Sequence, residues 1–271
     1  MCQLLGMNSS KPAGLGFSFA GFAERGGRTA EHSDGWGIAF HGADSCHLIV
    51  DHRASIDSPL AEAFKASGLK ARNVVAHIRK ATQGQTSVAN SHPFTRELWG
   101  RTWSFAHNGN LVGFHPAGNA HYAAAGETDS ERAFCHLLAE LSDRFPQGQP
   151  ARGALFDAIA ATSAQIAGHG TFNFILSNGE FMLAHCSTRL HYVIREYPFA
   201  HARLLDCDLH IDFNRHNHLD DRMAVIATEP LTSGEHWVAL APGELKMFSD
   251  GAPQPAPTVA GTRRRHLSIS Y

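Results

Sequence analysis

The sequence has no long hydrophobic run: none of its 271 residues begins a window approaching the roughly 20 apolar residues that a membrane-spanning helix needs. The first twenty residues show no basic stretch leading into an apolar one, so no secretory leader is expected and the protein reads as cytoplasmic. An excess of one charge is also missing. Lys and Arg total 23 against 25 Asp and Glu, a formal net charge of -2, so no global field draws the chain onto nucleic acid or an anionic membrane. Cysteine is scarce and unpatterned: residues 2, 46, 135, 186 and 207 are odd in number, widely spaced and without a CxxC pair, which argues against a disulfide framework and a zinc ribbon. The 19 histidines include no HExxH motif and no HxH pair on a predictable element, so neither metal nor cofactor is expected. Internal repeats are lacking too.

What is present suits small-molecule chemistry on a packed scaffold. A 43% hydrophobic content supports one large core, and a single domain is expected over residues 1–251. Three prolines between Ala252 and Pro257 then end the fold, and Arg263-Arg264-Arg265 sits in a tail, 252–271, read as solvated. The opening Cys2-Gln3-Leu4-Leu5-Gly6-Met7 reads as a short strand bounded by Asn8-Ser9-Ser10. Further strands are expected at 37–41, 47–50, 73–78 and 103–107. Between Thr128 and Phe145 the apolar residues Ala133, Phe134, Leu137, Leu138 and Leu141 recur at three- and four-residue steps behind a Thr128-Asp129-Ser130-Glu131 capping signal, so a helix is expected. A second helix is expected over 155–166. Strands return at 171–177 and 181–185 around an Asn178-Gly179 turn, then at 191–195 and 223–227. Strands, helices and strands in that order, with hairpins, imply antiparallel sheets covered by helices.

Four segments carry chemistry. Removal of Met1 would leave Cys2 with both a thiol and a free α-amino group, a nucleophile with its own base; the alternative is a small apolar residue starting a strand. Arg79 ends an apolar strand, Val74 to Ile78, where its planar fork suits a carboxylate, although arginine at a strand end is common on surfaces. His107-Asn108-Gly109 ends another strand. Asn-Gly is a turn signal, and at an amidase site the Asn108 amide and the Gly109 backbone N–H would bind an oxyanion. Asp129 belongs to a helix cap, and its carboxylate also suits the α-ammonium of an amino acid whose α-carboxylate Arg79 receives.

In order and spacing, Cys2, His77-Ile78-Arg79-Lys80-Ala81-Thr82, Asn90-Ser91-His92-Pro93, His107-Asn108-Gly109 and Thr128-Asp129-Ser130-Glu131 make the sequence resemble class II glutamine amidotransferases. Asp34-Gly35-Trp36-Gly37-Ile38 and His92-Pro93-Phe94 resemble the small bacterial single-domain members related to the γ-glutamyl hydrolase of ergothioneine biosynthesis. The likeness spans roughly residues 2 to 248, with its specific motifs in the first half. It implies an α+β fold, the four-layer αββα sandwich of N-terminal-nucleophile hydrolases. It also implies Cys2 as nucleophile, Asn108 and Gly109 as oxyanion hole, and Arg79 and Asp129 as the clamp on the substrate's α-groups. Thr82 and His92 would line the pocket, with the α-amino group rather than His92 as base. The family pattern departs at Lys80 and Gln83, where an aromatic residue and a histidine often stand. The substrate implied is glutamine or another γ-glutamyl amide, with a non-catalytic amino-acid sensor as the third reading. Released ammonia would need an acceptor bound here or on a separate ammonia-accepting synthase protein. The oligomeric state is not specified.

Overall fold

The computed structural model describes residues 2–42, 45–81, 85–117 and 121–255. The first half supplies β1 (Gln3–Gly14), α1 (Gly16–Glu24), β2 (Trp36–His41), β3 (Cys46–Asp51), α2 (Pro59–Ala66), β4 (Lys70–Ile78), β5 (Phe94–Leu98) and β6 (Arg101–Leu111). Helices α3 (Asp129–Arg144) and α4 (Arg152–Ala167) follow. The remainder forms β7 (Gly170–Ser177), β8 (Met182–His185), β9 (His191–Arg195), β10 (His201–Leu204), β11 (His210–Asp212), β12 (Met223–Ala227), β13 (Thr232–Ser233), β14 (Val238–Ala239), β15 (Leu245–Ser249) and β16 (Ala252–Pro253).

Two antiparallel sheets stack face to face. One has seven strands in the order β14-β9-β12-β1-β4-β2-β3, the other six in the order β16-β15-β8-β7-β6-β5, and a small third sheet joins β11, β10 and β13. Side-chain alternation explains the layering. On β1, Leu4 enters the cluster between the sheets, with Val75, Ala106, Ile175 and Ile226, while its neighbour Leu5 joins the cluster on the outer face, with Phe19, Phe22 and Phe64 of α1 and α2. On β6 and β7, Ala106 and Ile175 face inward while Phe105 and Phe174 pack outward with Phe134, Leu138 and Ile159 of α3 and α4. Both faces of the central strands are thus covered, which is why Met223-Ala224-Val225-Ile226-Ala227 is an unbroken apolar run. The result is the expected four-layer αββα sandwich. No helix among the described residues is long and apolar enough to cross a membrane.

Several features depart from the sequence expectations. Strand β1 continues through Asn8-Ser9-Ser10 to Gly14, with a register shift between Asn8 and Ala13 against β4. Buried Asn8 is tolerated there because its amide donates to Asn73 Oδ1 at 2.8 Å and accepts from Gly251 N–H at 2.8 Å. Helices α1 and α2 were not anticipated. The sequence of α1, Gly-Phe-Ser-Phe-Ala-Gly-Phe-Ala-Glu, has no polar stripe and no capping side chain, and Gly21 is demanded by packing, since a Cβ there would lie 2.7 Å from Leu204. Beyond residue 251, Ala252–Pro253 pairs with Phe248–Ser249; the Arg263–Arg265 run lies outside the described residues.

Candidate active site

Cys2 stands immediately before β1, whose first pair is Gln3 with Ile78 at the end of β4. The half-buried thiol meets the backbone just past that end: Sγ lies 3.4 Å from the Lys80 carbonyl and accepts from the Lys80 N–H at 3.3 Å. Burial pushes the thiol pKa up, more than the Lys80 N–H and the Arg79 guanidinium pull it down. A thiol so placed needs a local base to ionise.

The segment after β4 is held in shape from one side. Arg79 N–H donates to the Gly35 carbonyl at 2.8 Å, Asp34 N–H to the Arg79 carbonyl at 3.2 Å, and Ala81 N–H to Asp34 Oδ2 at 2.8 Å. Gly35 adopts φ +112, open to glycine, and an added Cβ would lie 2.9 Å from the Asp51 carbonyl. The Arg79 side chain is buried and donates through Nη1 to the Gln85 carbonyl at 3.1 Å. Asn90 donates to the same carbonyl at 3.0 Å and accepts from Glu127 N–H at 2.9 Å, which ties the loop after Arg79 to the approach of α3.

Strand β6 ends nearby. His107 is buried, with Nδ1 at 2.8 Å from Ser130 Oγ and Nε2 at 3.0 Å from the Thr171 carbonyl. Gly109 has no space for a side chain: a Cβ would collide with the Thr171 carbonyl and with His107 Nε2. Asn108 is buried, and its Oδ1 has no partner among the described residues. Thr128 caps α3 by accepting from Glu131 N–H at 3.2 Å. Asp129, buried in the first turn, accepts from Leu111 N–H at 2.7 Å through Oδ2, joining the helix to the end of β6. Glu131 accepts from the N–H groups of Ala125 and Gly126 at 3.0 and 2.7 Å and pairs with Arg96.

The His92 ring packs at a tilt against His77, ring centroids 4.2 Å apart, and against Phe94 at 4.4 Å. All four ring nitrogens of His77 and His92 are buried without a protein partner among the described residues. Burial, reinforced by the neighbouring imidazoles and Arg79, holds His92 well below its usual pKa and His77 down to about 3. Both are neutral near pH 7, and His92 is a poor proton acceptor there.

These elements converge. Cys2, Arg79, His92, His107, Gly109 and Asp129 all line one cavity of about 20 Å³. That volume is room for about one water. Asn108 is buried beside Gly109 and is not among the lining residues, and Thr82 lies outside the described residues. Asp34, Ser130 and Thr171 support the site without having been singled out for it. Asp34-Gly35 carried a turn signal; a backbone carbonyl such as that of Thr171 leaves no sequence signature.

The chain is similar to known proteins over most of its length. A family model for class-II glutamine amidotransferases matches residues 1–269. The "putative glutamine amidotransferase YafJ" of Escherichia coli strain K12 is 44% identical over 251 residues, covering 93% of this chain and 98% of that protein. The crystal structure of a "predicted glutamine amidotransferase" from Pseudomonas aeruginosa PA01 matches with a TM-score of 0.73 at 36% identity, covering 94% of this chain and 100% of that one. Glutamine phosphoribosylpyrophosphate amidotransferase from B. subtilis shares the fold, with a TM-score of 0.58 at 15% identity over 93% of this chain and 48% of that one.

Proposed function

The chain belongs to the class II glutamine amidotransferases, and on that premise we propose that it cleaves the side-chain amide of glutamine through a γ-glutamyl thioester on Cys2. The observation that carries this reading is the sharing of one small cavity by the Cys2 thiol, the buried Arg79 guanidinium and the buried Asp129 carboxylate. Arg79 receives the α-carboxylate and Asp129 the α-ammonium, which directs the side-chain amide toward Sγ. Among the described residues, Asp129 Oδ1 has a long contact, 3.5 Å from Ser130 Oγ, which leaves acceptor capacity for the ammonium.

Because burial raises the thiol pKa, the base matters. With Met1 removed, the α-amino group of Cys2, ordinarily titrating at about 7.7–8.0, takes the thiol proton as Sγ attacks the amide carbon. The Asn108 side-chain N–H and the Gly109 N–H take the charge on the carbonyl oxygen. The α-ammonium then returns the proton to the departing nitrogen, ammonia leaves, and the carbonyl re-forms as a thioester that water hydrolyses to glutamate and free thiol. Thr82 and His92 complete the pocket, His92 as a neutral wall. Ammonia passes to an acceptor bound on this chain or on a separate synthase protein.

The deciding experiment measures ammonia and glutamate release by the wild type, Cys2→Ala and Asp129→Ala. Both variants are expected to be inactive while retaining the wild-type circular dichroism. Undiminished glutamine turnover in Cys2→Ala overturns the reading. Intact mass after exposure to a glutamine-mimicking diazo-ketone supplies the second readout, with loss of Met1 and one adduct on Cys2 expected. Turnover of γ-glutamyl methylamide in preference to glutamine would keep the nucleophile and reassign the leaving amine.

A further inference from the structure

Strands β12, β1 and β4 lie side by side, and the ends that carry Cys2 and Arg79 are not their only functional-looking ends. At the opposite ends, where β4 begins with Lys70, β12 begins with Met223 and β1 closes with Ala13-Gly14, lies a second cavity of about 470 Å³. Its size falls in the range of small-molecule sites, roughly 300–1,000 Å³. At ~3.3 Å per residue along β1 it is roughly 30 Å from Cys2, so it is not an extension of the catalytic cavity.

Its walls are of two kinds. Phe17, Phe199, Ile211 and Phe213 supply an apolar side. Arg195 stiffens that side: its guanidinium sits 4.5 Å from the Phe213 ring centroid and 5.9 Å from that of Phe17, pairs with Glu235 at 2.7 and 2.9 Å, and donates to Ser18 Oγ at 2.8 Å. This buried charge is already neutralised and serves as scaffold. Lys11 is likewise paired, with Asp220 and Asp221 at 2.6 and 3.2 Å. Lys70 and Arg222 are different. Both line the cavity, and neither has a carboxylate within ion-pair distance among the described residues; Arg222 Nε donates only to the Asp250 backbone carbonyl, at 3.0 Å. Two cations on the lining without a carboxylate partner, together with Phe17, Phe199 and Phe213, match a ligand with a flat body and a single dianionic group. The Asp221 carboxylate on the same lining disfavours a longer polyphosphate.

We propose that this cavity binds a nucleoside monophosphate, its base against Phe17, Phe199 and Phe213 and its phosphate between Lys70 and Arg222. The site stands independently of the chemistry assigned to Cys2. The test is isothermal calorimetry on the full chain with AMP, UMP and inorganic phosphate as probes. At least one nucleotide is expected to bind saturably at one site per chain, at least tenfold more tightly than phosphate. Lys70→Glu and Arg222→Gln should each weaken it at least tenfold at an unchanged melting temperature, and Cys2→Ala should bind it as the wild type does. Absence of saturable binding by both nucleotides, equal affinity for phosphate, insensitivity to the two charge substitutions, or loss of binding in Cys2→Ala overturns the proposal.

Discussion

Gly109 shows how tightly single residues are specified at the candidate site. Because a methyl group would strike the Thr171 carbonyl and the His107 ring, Gly109→Ala is expected to displace the end of β6 and lower kcat for glutamine cleavage at least a hundredfold. Steady-state kinetics beside a melting curve measures this, and near wild-type kcat would remove Gly109 from the oxyanion-binding role. Histidines carry a second, thermodynamic signature. Burial lowers the pKa of His41 to about 4 and that of His77 to about 3. An unfolded imidazole binds its proton near pH ~6.5, so below that pH the unfolded chain takes up protons that the folded protein refuses. The stability these two residues sustain is whole above about pH 6.5. It declines as pH falls, by at most ~1.4 kcal/mol per pH unit for each histidine, until the folded values are reached. Urea unfolding between about pH 7 and pH 5 checks the slope, and His41→Gln, which keeps a partner for Ser104, should make it shallower.

At the scale of elements, α3 does two tasks with adjacent residues. Thr128 satisfies an N-terminal N–H while Asp129 reaches Leu111, so Thr128→Ala should cost about 1 kcal/mol in chemical denaturation. An unchanged midpoint would mean that the tertiary anchors alone hold the first turn. This helix was legible in the sequence because its cap and its three- and four-residue apolar steps agree. Strand β12 was legible because burial on both faces makes it a continuous apolar run. Helix α1 was not, since covering it on several sides replaced the polar stripe with Phe, Ala and Gly. The two- and three-residue strands β11, β13, β14 and β16 are too short for a period to emerge. The candidate site was legible in sequence order because its residues cluster at the start of β1, the ends of β4 and β6 and the start of α3. The cavity itself was not, since it depends on how Asp34, Gln85 and Asn90 fold the connecting loops together.

The whole molecule depends on the fit between its two sheets. Gly6, mid-strand in β1, faces that interface, where an added Cβ would lie 2.9 Å from Met182 Sδ and 3.0 Å from Ile175 Cδ1. Gly6→Ala is therefore expected to destabilise the fold by about 1–3 kcal/mol through overpacking, read as a lower urea midpoint. The combined variant Gly6→Ala with Met182→Ala should recover part of the loss, and no recovery would place the strain elsewhere. β1 also has a consequence in time. It lies between β4 and β12, so its two edges are completed by residues 70–78 and 223–227. At a synthesis rate of about 5–20 residues per second, the ribosome needs on the order of ten seconds or more to deliver that second partner. For that interval the residue before β1 hangs outside any finished sheet, within reach of an aminopeptidase. Pairing of β1 with β4 draws the same residue against Lys80, so the trimming that would arm Cys2 is expected on the nascent chain, before that pairing is complete.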